Sequence, residues 1–142
     1  MSERIRLTQN QDYQVEFLAA DPHQPDSGEL VSVHGLHEIT PYTMMLFSLA
    51  GCTAQVTLGY AAHHQIDLEE VEIELEYQRD YEEDCENCEE IEKYQEAIQG
   101  EILFRGDLSE DQKQKLHRIA RQCPIEKMYE HGIPVEIALS ES

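Results

Sequence analysis

Between Thr40 and His64 the chain reads TPYTMMLFSLAGCTAQVTLGYAAHH, and from Met44 to Ala62 it carries no charged side chain. The stretch opens as a helix should. Thr40 can accept a backbone N–H as N-cap, and Pro41 suits the first helical position, where its missing N–H has no intrahelical partner. The apolar residues Met44, Met45, Leu46, Phe47, Leu49, Val56 and Leu58 fall on nearly every side of such a helix. A helix apolar all round is expected to be buried all round, by protein or by lipid. Cys52, at its middle, is therefore expected deep in whatever the molecule buries. At ~1.5 Å per residue the stretch could cross most of a ~30 Å hydrocarbon core. Ser48, Thr53, Gln55 and Thr57 moderate its hydropathy, however, and neither flanking Lys or Arg nor an aromatic belt brackets it. The better reading is the central helix of a soluble fold.

Outside this stretch acid dominates, with 30 Asp and Glu against 10 Lys and Arg in 142 residues and a formal charge of -20. That charge argues against nucleic acid and against anionic membrane surfaces as partners. The length suits a single domain over residues 1–142. The opening MSERIRLTQN has charges with no apolar segment behind them, so no signal peptide is expected and a cytoplasmic location is. In a reducing compartment the four cysteines read as thiols, metal ligands or redox pairs rather than structural disulfides.

Taken in order, Ile5–Leu7 and Tyr13–Ala19 read as strands, the second alternating Tyr13, Val15, Phe17 and Ala19 on one face. Leu30–Val33 follows as a third, after the turn-rich DPHQPDSG. Beyond the central helix, Val71, Ile73, Leu75 and Tyr77 alternate with Glu70, Glu72, Glu74 and Glu76, the pattern of a sheet covered on one side. Gln95–Phe104 reads as its hairpin partner. Ser109 and Gln112 form a capping box for a second helix, whose Leu116, Ile119, Ala120 and Cys123 share a face. Pro124 places Cys123 at the helix end. After a further turn over Ile125–Tyr129, Ile133–Leu139 alternates as a last strand. The predicted order is βββ-α-ββ-α-β, an α+β arrangement.

Cys52 and Cys123 thus belong to the two helices with the strongest core-facing signals. Neither has metal-ligand spacing, and from spacing alone both small buried hydrophobes and reactive thiols remain open. PYTMMLFSLAGCTA, followed far downstream by RQCPIEK in this element order, resembles the OsmC/Ohr family, named for osmotically inducible protein C and organic hydroperoxide resistance protein. The family pattern opens a long helix with P-Y-E-L-L or a relative and places a cysteine ten residues after its second position, an interval kept from Tyr42 to Cys52. Cys123-Pro124 matches its second cysteine. The resemblance extends from about residue 10 to Leu139. It implies an OsmC-like fold, an intertwined homodimer with active sites at the subunit interface, and a thiol peroxidase of oxidative-stress defence that requires no cofactor. By that resemblance Cys52 would attack an organic hydroperoxide, Cys123 would resolve the sulfenic acid to a disulfide, and an external dithiol would reduce it. Apolar helix walls would suit an alkyl hydroperoxide.

Burial raises a thiol's pKa, so such chemistry needs a cation near Cys52. In the best-studied branch of the family an arginine from the N-terminal strands serves, held by a glutamate at the start of the cysteine helix. Here Thr43 stands at the glutamate position and no arginine occurs between Arg6 and Arg79. The available groups are Arg4, Arg6, Arg79 and Arg121, with Glu38 as the nearest substitute carboxylate.

The acidic run DYEEDCENCEEIE contributes Cys85 and Cys88. The sequence also resembles a branch of the family carrying D-C-x-x-C-E at this hairpin. Alone, a C-x-x-C is half a zinc site; a second pair across a dimer axis, or His34, His63 or His64, would have to complete four ligands. The surrounding carboxylates disfavour thiolate, so an auxiliary redox pair and an inert loop stand beside the zinc reading. The rivals to a peroxidase are accordingly a metal- or thiol-sensing protein using Cys85 and Cys88, and a non-catalytic dimer in which Cys52 is merely packed.

Overall fold

The computed structural model describes residues 2–81 and 94–140. Its strands are β1 (Ser2–Asn10), β2 (Val15–Ala20), β3 (Leu30–Ser32), β4 (Leu68–Tyr81) and β5 (Tyr94–Gly106). They form one antiparallel sheet in the order β3-β2-β1-β4-β5. The helices are α1 (Pro41–His63), α2 (Glu110–Ala120) and α3 (Pro124–His131). The fold is mixed α+β, with the helices on one face of the sheet.

Alternation decides that face. Ile5 pairs with Leu75, Leu7 with Ile73 and Gln9 with Val71; across the hairpin, Ile73 pairs with Ile102 and Val71 with Phe104. These side chains and Ala19 make the surface on which α1 lies, through Leu46, Ala50, Ala54, Leu58 and Ala61. Burying a large aliphatic side chain there contributes about 1.5–3 kcal/mol. The even-numbered residues of β4 take the opposite face. Arg6 pairs with Glu74, and Arg105 reaches Glu70 and Glu72 at 2.7 and 3.2 Å, offsetting a ladder of like charges. Exposed pairs like these add little net stability.

Both ends of α1 follow from local chemistry. Thr40 Oγ1 accepts the Thr43 N–H at 3.2 Å, with Pro41 in the first turn. At the other end Gln65 adopts φ 57°, the Ile66 N–H bonds to Ala61 O at 2.8 Å, and the Gln65 N–H faces Ala62 O at 3.5 Å. That is a Schellman closure with glutamine where glycine is usual. His64 caps the helix and stacks on Tyr60 at 3.9 Å, so the His63-His64 pair ends the helix. The capping box at Ser109 and Gln112 forms as expected.

The structure departs from the sequence expectations in two places. The first is α1, which is buried on one side only. Thr43, Leu46, Ala50, Ala54, Thr57 and Ala61 are covered by the sheet, whereas Met44, Ser48, Gln55 and Ala62 remain open. By length and composition α1 could span a membrane, yet only 39% of its most apolar window is buried within the protomer. The second is the expected last strand over Ile133–Leu139, which pairs with none of the described strands. Ile133, Val135, Ile137 and Leu139 are 55%, 79%, 89% and 96% exposed. A strand needs an edge to bond to, and α3, a full helix where only a turn is expected, carries the chain on without reaching one within this protomer.

Candidate active site

The α2–α3 corner brings the two thiols together. α2 ends at Ala120, Arg121 and Gln122 turn the chain, and Cys123 caps α3 with Pro124 in its first turn. Cys123 is fully buried, while Cys52 is half-buried, and neither is in a disulfide. Cys52 belongs to the same side of α1 as Ser48, turned away from the sheet and toward this corner. Its thiol lies near that of Cys123 and near the backbone N–H of Ile125. Burial pushes the Cys52 thiol above its ordinary range, the Cys123 hydrogen bond adds to that, and the Ile125 N–H opposes both. An N–H in the first turn of a helix favours thiolate, since it points the positive end of the peptide dipoles at the sulfur.

The arginines sort by strand parity and position. Arg4 and Arg6 lie on the sheet face opposite α1, where Arg4 donates to the Gly28 carbonyl and Arg6 pairs with Glu74. Neither can reach Cys52 of the same protomer. Arg79 shares the helix-side face but sits at the start of α1. It is stacked 4.5 Å from the Tyr94 ring centroid and 5.4 Å from that of Tyr42, donates to Tyr77 Oη at 2.8 Å and faces Glu96 at 3.7 Å. Cys52 lies ten residues further along α1 than Tyr42, about 15 Å at the helical rise. Arg121 is at the corner itself but is engaged by Glu126 at 2.7 Å and Glu130 at 4.0 Å. Glu38 is occupied locally: it accepts the His34 N–H at 2.7 Å, a contact that holds its carboxyl below the usual range. Thr43, at the glutamate position of the family pattern, is buried and shares a hydrogen bond with Thr40 at 3.1 Å. Among the described residues, no cation acts on Cys52.

Sequence reasoning missed Ser48, Tyr129 and the Ile125 N–H. Ser48 precedes Cys52 by one helical turn, and Tyr129 of α3 meets it with its hydroxyl at 2.5 Å, which also lies 2.9 Å from Met45 O. The i, i+4 spacing of Ser48 and Cys52 was visible; their partner on α3 was not.

A cleft of about 1020 Å³ opens beside this corner. Its floor includes Leu75, Ile98 and Ile102, and Leu49, Met128 and Ile133 help to wall it. Thr53 and Ala120 reach it, but neither thiol does. The apolar flank of α1 and the Cys52 sulfur thus face different directions. Cys85 and Cys88 lie outside the described residues. Among the described residues no three His, Cys, Asp or Glu converge to hold a metal ion, and His34, His63 and His64 form no such group.

A search of curated proteins finds no match. The crystal structure of an OsmC-like hydroperoxide resistance protein from Jannaschia sp. CCS1 superposes with a TM-score of 0.63, covering 99% of this chain and 96% of that one at 11% identity. At that identity the likeness speaks for the fold. The family model for OsmC-like proteins matches residues 34–138, a span that contains α1, the β4–β5 hairpin and both helices of the cysteine corner. On that match the chain belongs to the OsmC-like family.

Proposed function

We propose that the protein is a thiol peroxidase of stress defence that reduces organic hydroperoxides. The observation that supports the reading is that two free cysteines from separate elements, Cys52 of α1 and the buried Cys123 at the cap of α3, come close enough to act on one another. In the first step the Cys52 thiolate attacks the O–O bond, forming Cys52 sulfenic acid and an alkoxide that takes a proton to leave as alcohol. Cys123 then attacks the sulfenic sulfur, an S–S bond forms, and water departs. A dithiol of the reducing compartment returns both cysteines to thiols and is itself oxidised to a disulfide. Hydroperoxide is reduced by two electrons overall, and the dithiol supplies them.

The same reading assigns a homodimer. Two features support it: the open side of α1 along Met44, Ser48 and Gln55, and the exposed apolar alternation of Ile133–Leu139. A second copy covering α1 would also be placed to supply the cation that no described residue of its own protomer brings to Cys52. Replacing Cys52 with serine tests the chemistry. Consumption of cumene hydroperoxide with excess dithiothreitol should fall to background in Cys52→Ser, and undiminished turnover in that variant would refute the assignment.

A further inference from the structure

We propose that Tyr129 and Ser48 form a hydroxyl latch that sets the Cys52–Cys123 pair in register, making Tyr129 a positioning residue for disulfide closure. The proposal rests on reading these two cysteines as a reacting pair, and it adds residues that no pattern in the sequence assigns.

α3 has no buried residue of its own. A helix of eight residues is far below the length at which helices persist alone in water, so its placement depends on tethers. At its N-terminal end the tether is Cys123, fully buried at the cap. Arg121 braces the corner by its ion pair to Glu126, but this pair is solvent-exposed on the arginine side and weak. Toward its C-terminal end the tie is Tyr129. Its hydroxyl lies 2.5 Å from Ser48 Oγ and 2.9 Å from Met45 O, so its single proton serves either oxygen, while Ser48 Oγ donates to Met45 O at 2.7 Å.

The spacing gives the latch its consequence. Ile125 and Tyr129 stand one turn apart on α3, and Ser48 and Cys52 stand one turn apart on α1. Ile125 meets Cys52 and Tyr129 meets Ser48, so the two helices run antiparallel and are matched over one turn. Side chains four residues apart share a helix face, so a contact at one pair fixes the separation at the other. Releasing the Tyr129 end lets α3 pivot about Cys123, and the first turn of α3 then no longer holds its N–H and its thiol against Cys52. The effective concentration of one thiol toward the other falls.

Equilibration with glutathione measures this without peroxide. The two thiols give up two electrons and two protons as their disulfide forms, and one oxidised glutathione becomes two reduced glutathiones. After acid quench and alkylation, peptide mapping reads the Cys52–Cys123 disulfide separately from Cys85 and Cys88. Tyr129→Phe keeps the ring and removes the hydroxyl. It should lower the ratio of disulfide to dithiol about five- to tenfold at fixed glutathione, the effect of losing a single hydrogen bond. Ser48→Ala should move it the same way, and the double variant should add little beyond Tyr129→Phe, as for residues acting through one contact. A merely structural role would shift the urea midpoint and leave the ratio alone. A ratio in Tyr129→Phe equal to that of the unaltered protein overturns the proposal. If the unaltered protein leaves cumene hydroperoxide untouched, the peroxidase reading fails instead, and the glutathione equilibrium still decides the latch.

Discussion

Burial and the neighbouring Cys123 thiol both favour protonated Cys52, and the Ile125 N–H is the contact that favours its thiolate. Because only the thiolate is nucleophilic, the protomer alone should react slowly at neutral pH and faster as the pH rises through and beyond the ordinary thiol range. Cys123→Ser should leave the first attack on hydroperoxide in place but deny the sulfenic acid its partner. Mass spectrometry should then find Cys52 sulfinic acid accumulating with each added equivalent, where the unaltered protein accumulates the disulfide. Gln65 offers a separate check on backbone chemistry. It holds a left-handed conformation at φ 57° that costs an L-residue about 1 kcal/mol, so Gln65→Gly should raise the free energy of urea unfolding by roughly that amount. Cys52 and Cys123 could be picked out from sequence because thiols are scarce and each stands on a patterned helix. Tyr129 could not, since an exposed tyrosine on a short helix carries no periodic signal.

Helices and strands whose pattern is set by their own termini and alternation appear as expected. Thr40-Pro41 starts α1, the capping box starts α2, and the Val71–Tyr77 alternation puts its apolar side chains on the helix side of β4. β5 holds one constraint that alternation hides. A Cβ on Gly100 would stand 2.2 Å from Glu74 O and 2.6 Å from Leu75 Cδ2. Gly100→Ala must therefore push apart two paired strands, and should destabilise the protein by about 1–3 kcal/mol in urea unfolding, as overpacking does. α3 and the segment after it were the poorly legible elements. Ile133–Leu139 has a strand's alternation, but alternation specifies only which face a strand would bury, and not which edge it would join.

At the scale of the molecule, the charge of -20 and the exposed apolar arm after α3 pull in different directions. Like charge opposes association, whereas the bare apolar arm of Ile133, Val135, Ile137 and Leu139 favours it. The proposed dimer resolves the second at the expense of the first, so salt should strengthen it. Deleting residues 133–142 should shift the protein toward monomer in analytical ultracentrifugation. If the proposed partner supplies a cation to Cys52, the pH profile for alkylation of Cys52 should move upward in the same variant, because burial then raises the thiol's pKa unopposed by that charge. An unchanged dimer with an unchanged profile would show that the arm plays no part. The sequence by itself determined the α+β class, the two capped helices, the covered face of the sheet and the two cysteines worth watching. All of these follow from periodicity and from end-capping chemistry local to each element. Only the tertiary structure decided that Cys52 turns away from its own sheet, that Arg4 and Arg6 point to the wrong face and that Arg79 sits near the far end of α1. It also decided that a backbone N–H of α3 takes the place beside the sulfur. Those are relations between elements distant in sequence, fixed by how strand parity and helix rotation combine when the pieces pack.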